Sequence, residues 1–132
     1  MREIDNKRAV LHEMKKIYYP KDKSYIDWMG FKITEENCPS YHHIEKAEDL
    51  KSNNESTKAT IDNGAYLGKK SHELLHRLEQ INKELYDSWN YVFSLINKMR
   101  VYPIDDVWKM VYNLQEMSIK ALNENKSSVF KQ

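Results

Sequence analysis

The apolar residues Ile4, Val10, Leu11, Met14 and Ile17 fall mostly three or four apart, the spacing of one face of an amphipathic helix, and Pro20 closes it. A second helical pattern opens at Ser71, placed as an N-cap, and runs through Leu74, Leu75, Leu78, Ile81 and Leu85 into Trp89, Val92, Phe93 and Ile96. That pattern predicts either one long helix to about Met99 or two helices with a break near 80–87. A third begins at Pro103, with Ile104, Val107, Met110, Val111, Leu114 and Met117 on one face and Asp105 and Asp106 near the positive end of its dipole. Residues from about Asn123, rich in Asn, Lys and Ser, are expected to fray.

Strand signals are shorter. Trp28 to Ile33 reads as a strand-like run inside an otherwise irregular 21–40 stretch, with a turn-prone segment from Glu35 to Ser40 behind it. Tyr41 to Ile44 reads as a brief β element. Ala65 to Leu67, just after the turn signal Asn63-Gly64, reads as the strand that pairs with it. Residues 45–60 are polar with no apolar period, and Ser52 to Ser56 reads as an exposed loop. The expectation is a hairpin with a long loop, followed directly by a helix.

A length of 132 residues suits one domain, 1–132. Hydrophobic residues at 40%, charged residues at 31% and only three Gly and three Pro disfavour disorder, collagen-like repeats and a loop-rich β-sandwich. Lys and Arg number 21 against 20 Asp and Glu, so any contact with nucleic acid has to be local. Residues 1–23 hold seven Lys or Arg against four Asp or Glu, a surplus of three that offers one such contact. The single Cys38 can form neither an internal disulfide nor a four-thiolate zinc site, which points to a reducing, cytoplasmic address. The first residues carry charges throughout and show no secretory apolar run. The longest apolar-leaning stretch, Trp89 to Met99, is broken by Asn90, Ser94, Asn97 and Lys98, far short of the roughly 18 apolar residues of a membrane span. A soluble protein without membrane contact is expected.

Five histidines change the picture: four of them form two tight pairs, His42-His43 and His72/His76, on either side of Asn63-Gly64. His72 and His76 stand four apart on a predicted helix, so both imidazoles share a face and are close enough to grip one metal ion. Two such ligands need a third, which His42 can supply. Successive side chains on a strand point to opposite faces, so His42 and His43 cannot easily share a role. One is expected to bind metal while the other faces the reacting group.

Taken in order, His42-His43-Ile44, then Asn63-Gly64, then His72-Glu73-Leu74-Leu75-His76 resemble the HNH signature of the ββα-metal, or His-Me finger, endonucleases. The nine residues from Asn63 to His72 and the four from His72 to His76 are similar to the spacing in the DNase colicins, while the wording looks more like small HNH proteins of phages and mobile elements. The resemblance covers about residues 41–80. It implies a ββα-metal core over 41–80; with the N-terminal helix over 1–20, the C-terminal helices over 81–122 and the tail over 123–132 read from the apolar pattern and composition, an α+β fold is expected. It implies hydrolysis of DNA that leaves a 5′ phosphate and a 3′ hydroxyl, with His43 as the general base that deprotonates the attacking water. Histidine suits that task because its unperturbed pKa, about 6.5, lies near working pH. It implies His42, His72 and His76 as ligands of one divalent ion and Asn63 as a residue that either braces the loop or ligates the metal, bracing being favoured with three imidazoles already present.

A three-imidazole site suits zinc, nickel, cobalt or manganese better than magnesium. Paired CxxC motifs for a structural zinc, common in the family, are missing, so no second metal is expected; the Gly-Gly often found between the motif halves is also replaced, by the polar 45–60 loop, a departure that bears on how this loop approaches DNA. Lys69, Lys70 and Arg77 flank the metal helix and are candidate phosphate contacts. His12 reads as a surface residue, Glu73 as a helix-start or solvent-facing residue, and the tryptophans and tyrosines as packing. Cys38 reads as buried and apolar, with a fourth ligand as the alternative. DNA is the expected partner, with RNA or a host protein as alternatives. A rival class is a catalytically silent HNH-fold phage protein that binds nucleic acid or a host protein, as an anti-defence or anti-CRISPR factor would. A toxin domain is a third.

Overall fold

The computed structural model describes residues 3–20, 25–54, 56, 58–102 and 105–130, with the side chains of 3–5, 47, 48 and 126–130 left aside. Its elements run α1 (Glu3–Tyr18), β1 (Pro39–His43), α2 (Ala47–Ser52), β2 (Gly64–Gly68), α3 (Lys69–Ile81), α4 (Lys83–Met99) and α5 (Asp105–Phe130). The class is α+β. Helix α1 covers the expected N-terminal span; the Ile4 side chain, Pro103 and Ile104 lie outside the described residues.

Strands β1 and β2 pair antiparallel, with Tyr41 opposite Tyr66, His42 opposite Ala65 and His43 opposite Gly64. β1 starts two residues before the expected Tyr41 and ends one before Ile44, and β2 extends one residue beyond Ala65–Leu67 at each end. The turn into β2 closes when Gly64 N–H donates to Ile61 O at 3.3 Å. Gly64 has a packing reason: a Cβ there would stand 2.5 Å from Cε2 of Tyr41 and 3.2 Å from Sδ of Met14. From α4, buried Asn97 donates from Nδ2 to Ile61 O at 2.6 Å and Gly64 O at 2.9 Å, which ties the turn to the helical layer.

Pleating divides the sheet into two faces. Ser40 and His42 face α3 and α4, whereas Pro39, Tyr41 and His43 share the face that packs on α1. Helix α4 buries Leu85, Tyr86, Trp89, Val92, Phe93 and Ile96 on one side, the three-and-four spacing read from the sequence. Helix α5 closes over α4 and α3, with Trp89 Nε1 donating to Ser118 Oγ at 2.9 Å in the buried seam. Each fully buried large apolar side chain, such as Trp89, Phe93, Leu75 or Leu78, contributes roughly 1.5–3 kcal/mol.

Several expectations are corrected. The open choice between one helix and two resolves as two: Asn82 leaves helical geometry (φ −156°, ψ 86°), and its side chain accepts from Leu85 N as the N-cap of α4. Trp28 to Ile33 is a tight loop held by a single bridge, Ile26 to Lys32, rather than a strand. Its cause is the fully buried Asp27, whose Oδ1 accepts from Met29 N and Phe31 N at 3.0 Å each, with Gly30 at φ +87° completing the turn. The polar 45–60 segment contains α2, a six-residue helix in which, among the described side chains, Leu50 alone is buried. Helix α5 runs on to Phe130 instead of ending near 122, since no Gly or Pro stops it.

Ser71 is not the N-cap of α3. That position belongs to Gly68, and the cap comes from 31 residues earlier, where Asn37 Oδ1 accepts from Lys70 N at 2.8 Å and Ser71 N at 3.3 Å. A Cβ on Gly68 would fall inside the Asn37 carboxamide, so the glycine vacates the place that the asparagine fills. Lys69 N–H donates to Cys38 O at 2.7 Å, and Gly68 N–H to Asp27 Oδ2 at 2.8 Å. The start of α3 is thereby locked to the loop before β1.

Candidate metal centre

The sheet and α3 bring His42, His72 and His76 together, with one ligand nitrogen of each lying within 4.8 Å of the others. Nδ1 of His42 is 3.3 Å from Nε2 of His72, which is 3.0 Å from Nε2 of His76. Every outward nitrogen has its own partner. Asn90 Oδ1 lies 2.7 Å from His42 Nε2, Ser40 Oγ lies 2.8 Å from His72 Nδ1, and Glu79 Oε1 lies 3.5 Å from His76 Nδ1. Asn90 donates from Nδ2 to Tyr86 O at 3.3 Å, which leaves its carbonyl oxygen for His42. His42 Nε2–H therefore donates to Asn90, and the inward Nδ1 carries a lone pair.

The same reasoning fits a metal ion. If His72 and His76 also keep their protons outward, on Ser40 and Glu79, three lone pairs meet with no proton between them. Such a cluster is repulsive unless a cation sits at its centre. Nitrogens bound tetrahedrally at zinc distances stand about 3.3–3.4 Å apart, close to the spacing seen. Outward partners of this kind hold ligating imidazoles in orientation and tautomer. Burial, then the neighbouring imidazoles, holds His42 down to about 3, partly offset by the Asn90 hydrogen bond. Burial, then His76, Lys7 and His43, holds His72 down to about 4. Both are neutral at physiological pH, as ligation requires. These three residues can hold a metal ion, and their chemistry leaves open which one.

A cleft of about 400 Å³ opens over the imidazoles and is also lined by Lys7, Tyr41, His43, Lys46, Glu79 and Tyr86. His43 is half-buried on the other face of β1, its ring edge-on to Tyr41 at 4.9 Å between centroids. Lys46 pairs with Glu79, and that contact, ahead of the one with His76, keeps the Glu79 carboxyl below its usual range. Asn63 stands apart from the imidazoles. Its Oδ1 accepts from Glu45 N at 2.8 Å and its Nδ2 donates to Glu45 O at 3.0 Å, bracing the chain two residues beyond His43.

Lys69, Lys70 and Arg77 are exposed on α3 and none lines the cleft; Lys70 Nζ lies 3.6 Å from a Glu36 carboxylate oxygen. Cys38 is exposed rather than buried, and it does not belong to the ligand group. Sequence reasoning missed Ser40, Glu79 and Asn90. Ser40 is two residues from His42 on a strand and Glu79 three from His76 on a helix, so both were available from periodicity, whereas Asn90 required knowledge of how α4 packs. Among the described residues, no helix is long and apolar enough to cross a membrane. The chain matches no protein-family model, no curated protein and no solved structure.

Proposed function

We propose that the chain is a metal-dependent endonuclease of the HNH, or His-Me finger, type, with a ββα-metal core over 41–80 that hydrolyses DNA phosphodiester bonds in a cytoplasmic compartment. The observation that carries this reading is the convergence of three imidazoles from β1 and α3, with His43 at the next, oppositely facing position of the same strand. The residue order described above supports it. The ion, whether zinc, nickel, manganese or magnesium, would supply Lewis acidity at the scissile phosphate, and three imidazoles suit the first three better than the last.

The chain's own residues supply the rest of the chemistry. His42, His72 and His76 are the ligands. His43 lines the same cleft as the ligands and is the group to take a proton from an attacking water. Asn63 fixes the backbone that leaves β1 after His43. Lys7 and Lys46 line the cleft as cations for phosphate oxygens. One observation favours the silent, protein-binding alternative: a groove between α4 and α5 is lined by Tyr91, Val92, Met110 and Leu114, with Tyr91 59% exposed.

Plasmid cleavage separates the two. Protein stripped with EDTA and resupplied with zinc, nickel, manganese or magnesium is expected to cut, and His43→Ala at matched metal occupancy is expected to bind metal without cutting. Tight metal binding by the wild type with no cleavage under any ion sinks the enzyme reading.

A further inference from the structure

Three cations of the N-terminal segment gather along one side of α1. Lys7, Arg8, Leu11, His12 and Lys15 lie at positions i, i+1, i+4, i+5 and i+8 of α1 and together line one groove, whose other wall is Pro39, Tyr25 and Tyr66. None of the described residues lining it is acidic. Glu13, the acid within this stretch of α1, turns away and pairs with Lys16 at 3.3 Å. The wall is organised: Lys15 Nζ sits 4.9 Å over the Tyr25 ring, and the Tyr25 and Tyr66 hydroxyls are 2.7 Å apart. On another side of the cleft the neighbouring depression is lined by Glu45, Asp49 and Asp87 beside Lys46 and Lys83. A polyanion leaving the cleft therefore meets acidic side chains that way and the cations Lys7, Arg8 and Lys15 along the α1 groove.

The groove and the cleft are continuous, because Lys7 lines both. They also share a face of β1, since Pro39 borders the groove, His43 borders the cleft, and Tyr41 stands between them opposite Tyr66. We propose that the α1 groove is the track for the nucleic-acid backbone, delivering a phosphodiester to His43 from the side of Lys7, Arg8 and Lys15. The proposal rests on the nuclease reading for its choice of polyanion. From Lys7 to Lys15 the helix rises about 12 Å, which spans roughly three to four nucleotides at 3.4 Å per step.

The test is binding, read apart from cleavage. Zinc-loaded His43→Ala is titrated into a fluorescein-labelled 20-base-pair DNA duplex, with anisotropy followed from 25 to 200 mM salt, alone and with Arg8→Gln and Lys15→Gln added. Removing two phosphate contacts should flatten the slope of log K against log salt by about 1.8 and weaken binding at 0.1 M salt on the order of 60-fold. The charge-keeping pair Arg8→Lys and Lys15→Arg should restore both. Lys69→Gln, Lys70→Gln and Arg77→Gln together should change affinity less than the α1 pair does. The track is overturned if the parent does not bind DNA at 25 mM salt, if the α3 triple costs more than the α1 pair, or if poly-glutamate of matched charge competes as well as DNA. Failure of the nuclease reading shows instead as absent metal-dependent cutting by the wild type, whatever the binding data say.

Discussion

Replacing Asn37 with Ala should cost more than any sequence-local view of α3 allows, because it removes a helix cap supplied from 31 residues away. The carboxamide accepts from Lys70 N and Ser71 N and donates to Lys32 O at 2.9 Å, in a position only 7% exposed. Losing an N-cap costs about 1 kcal/mol, and leaving the part-buried contact with the Lys32 carbonyl unmade adds roughly 1–2. The sum of about 2–3 kcal/mol corresponds to a drop in Tm of roughly 10 °C for a chain of this size. Gly68→Ser alone should also destabilise, since its Cβ displaces the carboxamide. Combined with Asn37→Ala the same change should help. Gly68 already has extended N-cap geometry (φ −76°, ψ 158°), so the new hydroxyl can accept from the first-turn N–H groups itself. The expected double-mutant coupling is about 2 kcal/mol in favour of the pair, measured by urea unfolding in EDTA. His72 sits in that first turn, so zinc affinity should weaken in Asn37→Ala and recover in the double variant. Additive losses, with coupling below about 0.5 kcal/mol, would refute the idea that Asn37 occupies the cap site of Gly68.

Two further outcomes follow from the imidazoles. Asn90→Leu should weaken zinc binding by about 10–100-fold, because His42 loses the partner that keeps Nδ1 inward, and Asn90→Asp should hold or tighten it. Unchanged affinity by competition with a zinc indicator would remove Asn90 from the site. Metal-stripped protein should lose stability as pH falls below about 6.5: the unfolded chain takes up protons there, while the fold accepts them at His42 and His72 only near 3 and 4. Stability is thus fully present above that range. Between pH 7.5 and 5.0 the loss should be about 3 kcal/mol after His72 is discounted for its partial exposure, and an unchanged urea midpoint would contradict it.

What the sequence made legible was local and periodic. The brief β element at Tyr41 to Ile44 and the Asn63-Gly64 turn signal located the paired strands, and four-residue spacing put His72 and His76 on one face of a helix. Spacing along the chain also carried Lys69, Lys70 and Arg77 into the phosphate-contact reading, yet in the fold none of the three lines the cleft. Contacts between distant segments were out of reach. Ser71 fits an N-cap by its neighbours, and nothing in those neighbours announces that Asn37 fills the role. Asp27 looks like a loop carboxylate, but burial pushes its carboxyl above the ordinary range while it gathers N–H groups from Met29, Phe31 and Gly68. The short apolar side chain of Cys38 suggests burial, whereas in the fold it is exposed and the Cys38 carbonyl accepts from Lys69 N–H.

The interruptions of the apolar run in α4 have a structural use. Asn90 and Asn97 argue against a membrane-spanning segment, and in the fold they stand seven residues apart on one side of the helix. Asn90 holds the ring of His42 through Nε2, and Asn97 holds the Ile61 and Gly64 carbonyls at the turn that carries Asn63. One rigid helix thus grips both ends of the long loop between the strands, a metal-facing imidazole at one end and a bracing asparagine at the other. A two-stranded sheet alone is marginally stable. The segment 41–80 therefore depends on α4 for the positions of its chemistry as well as for its core, and a fragment ending at 81 should bind zinc more weakly than the whole chain even where it retains all three imidazoles.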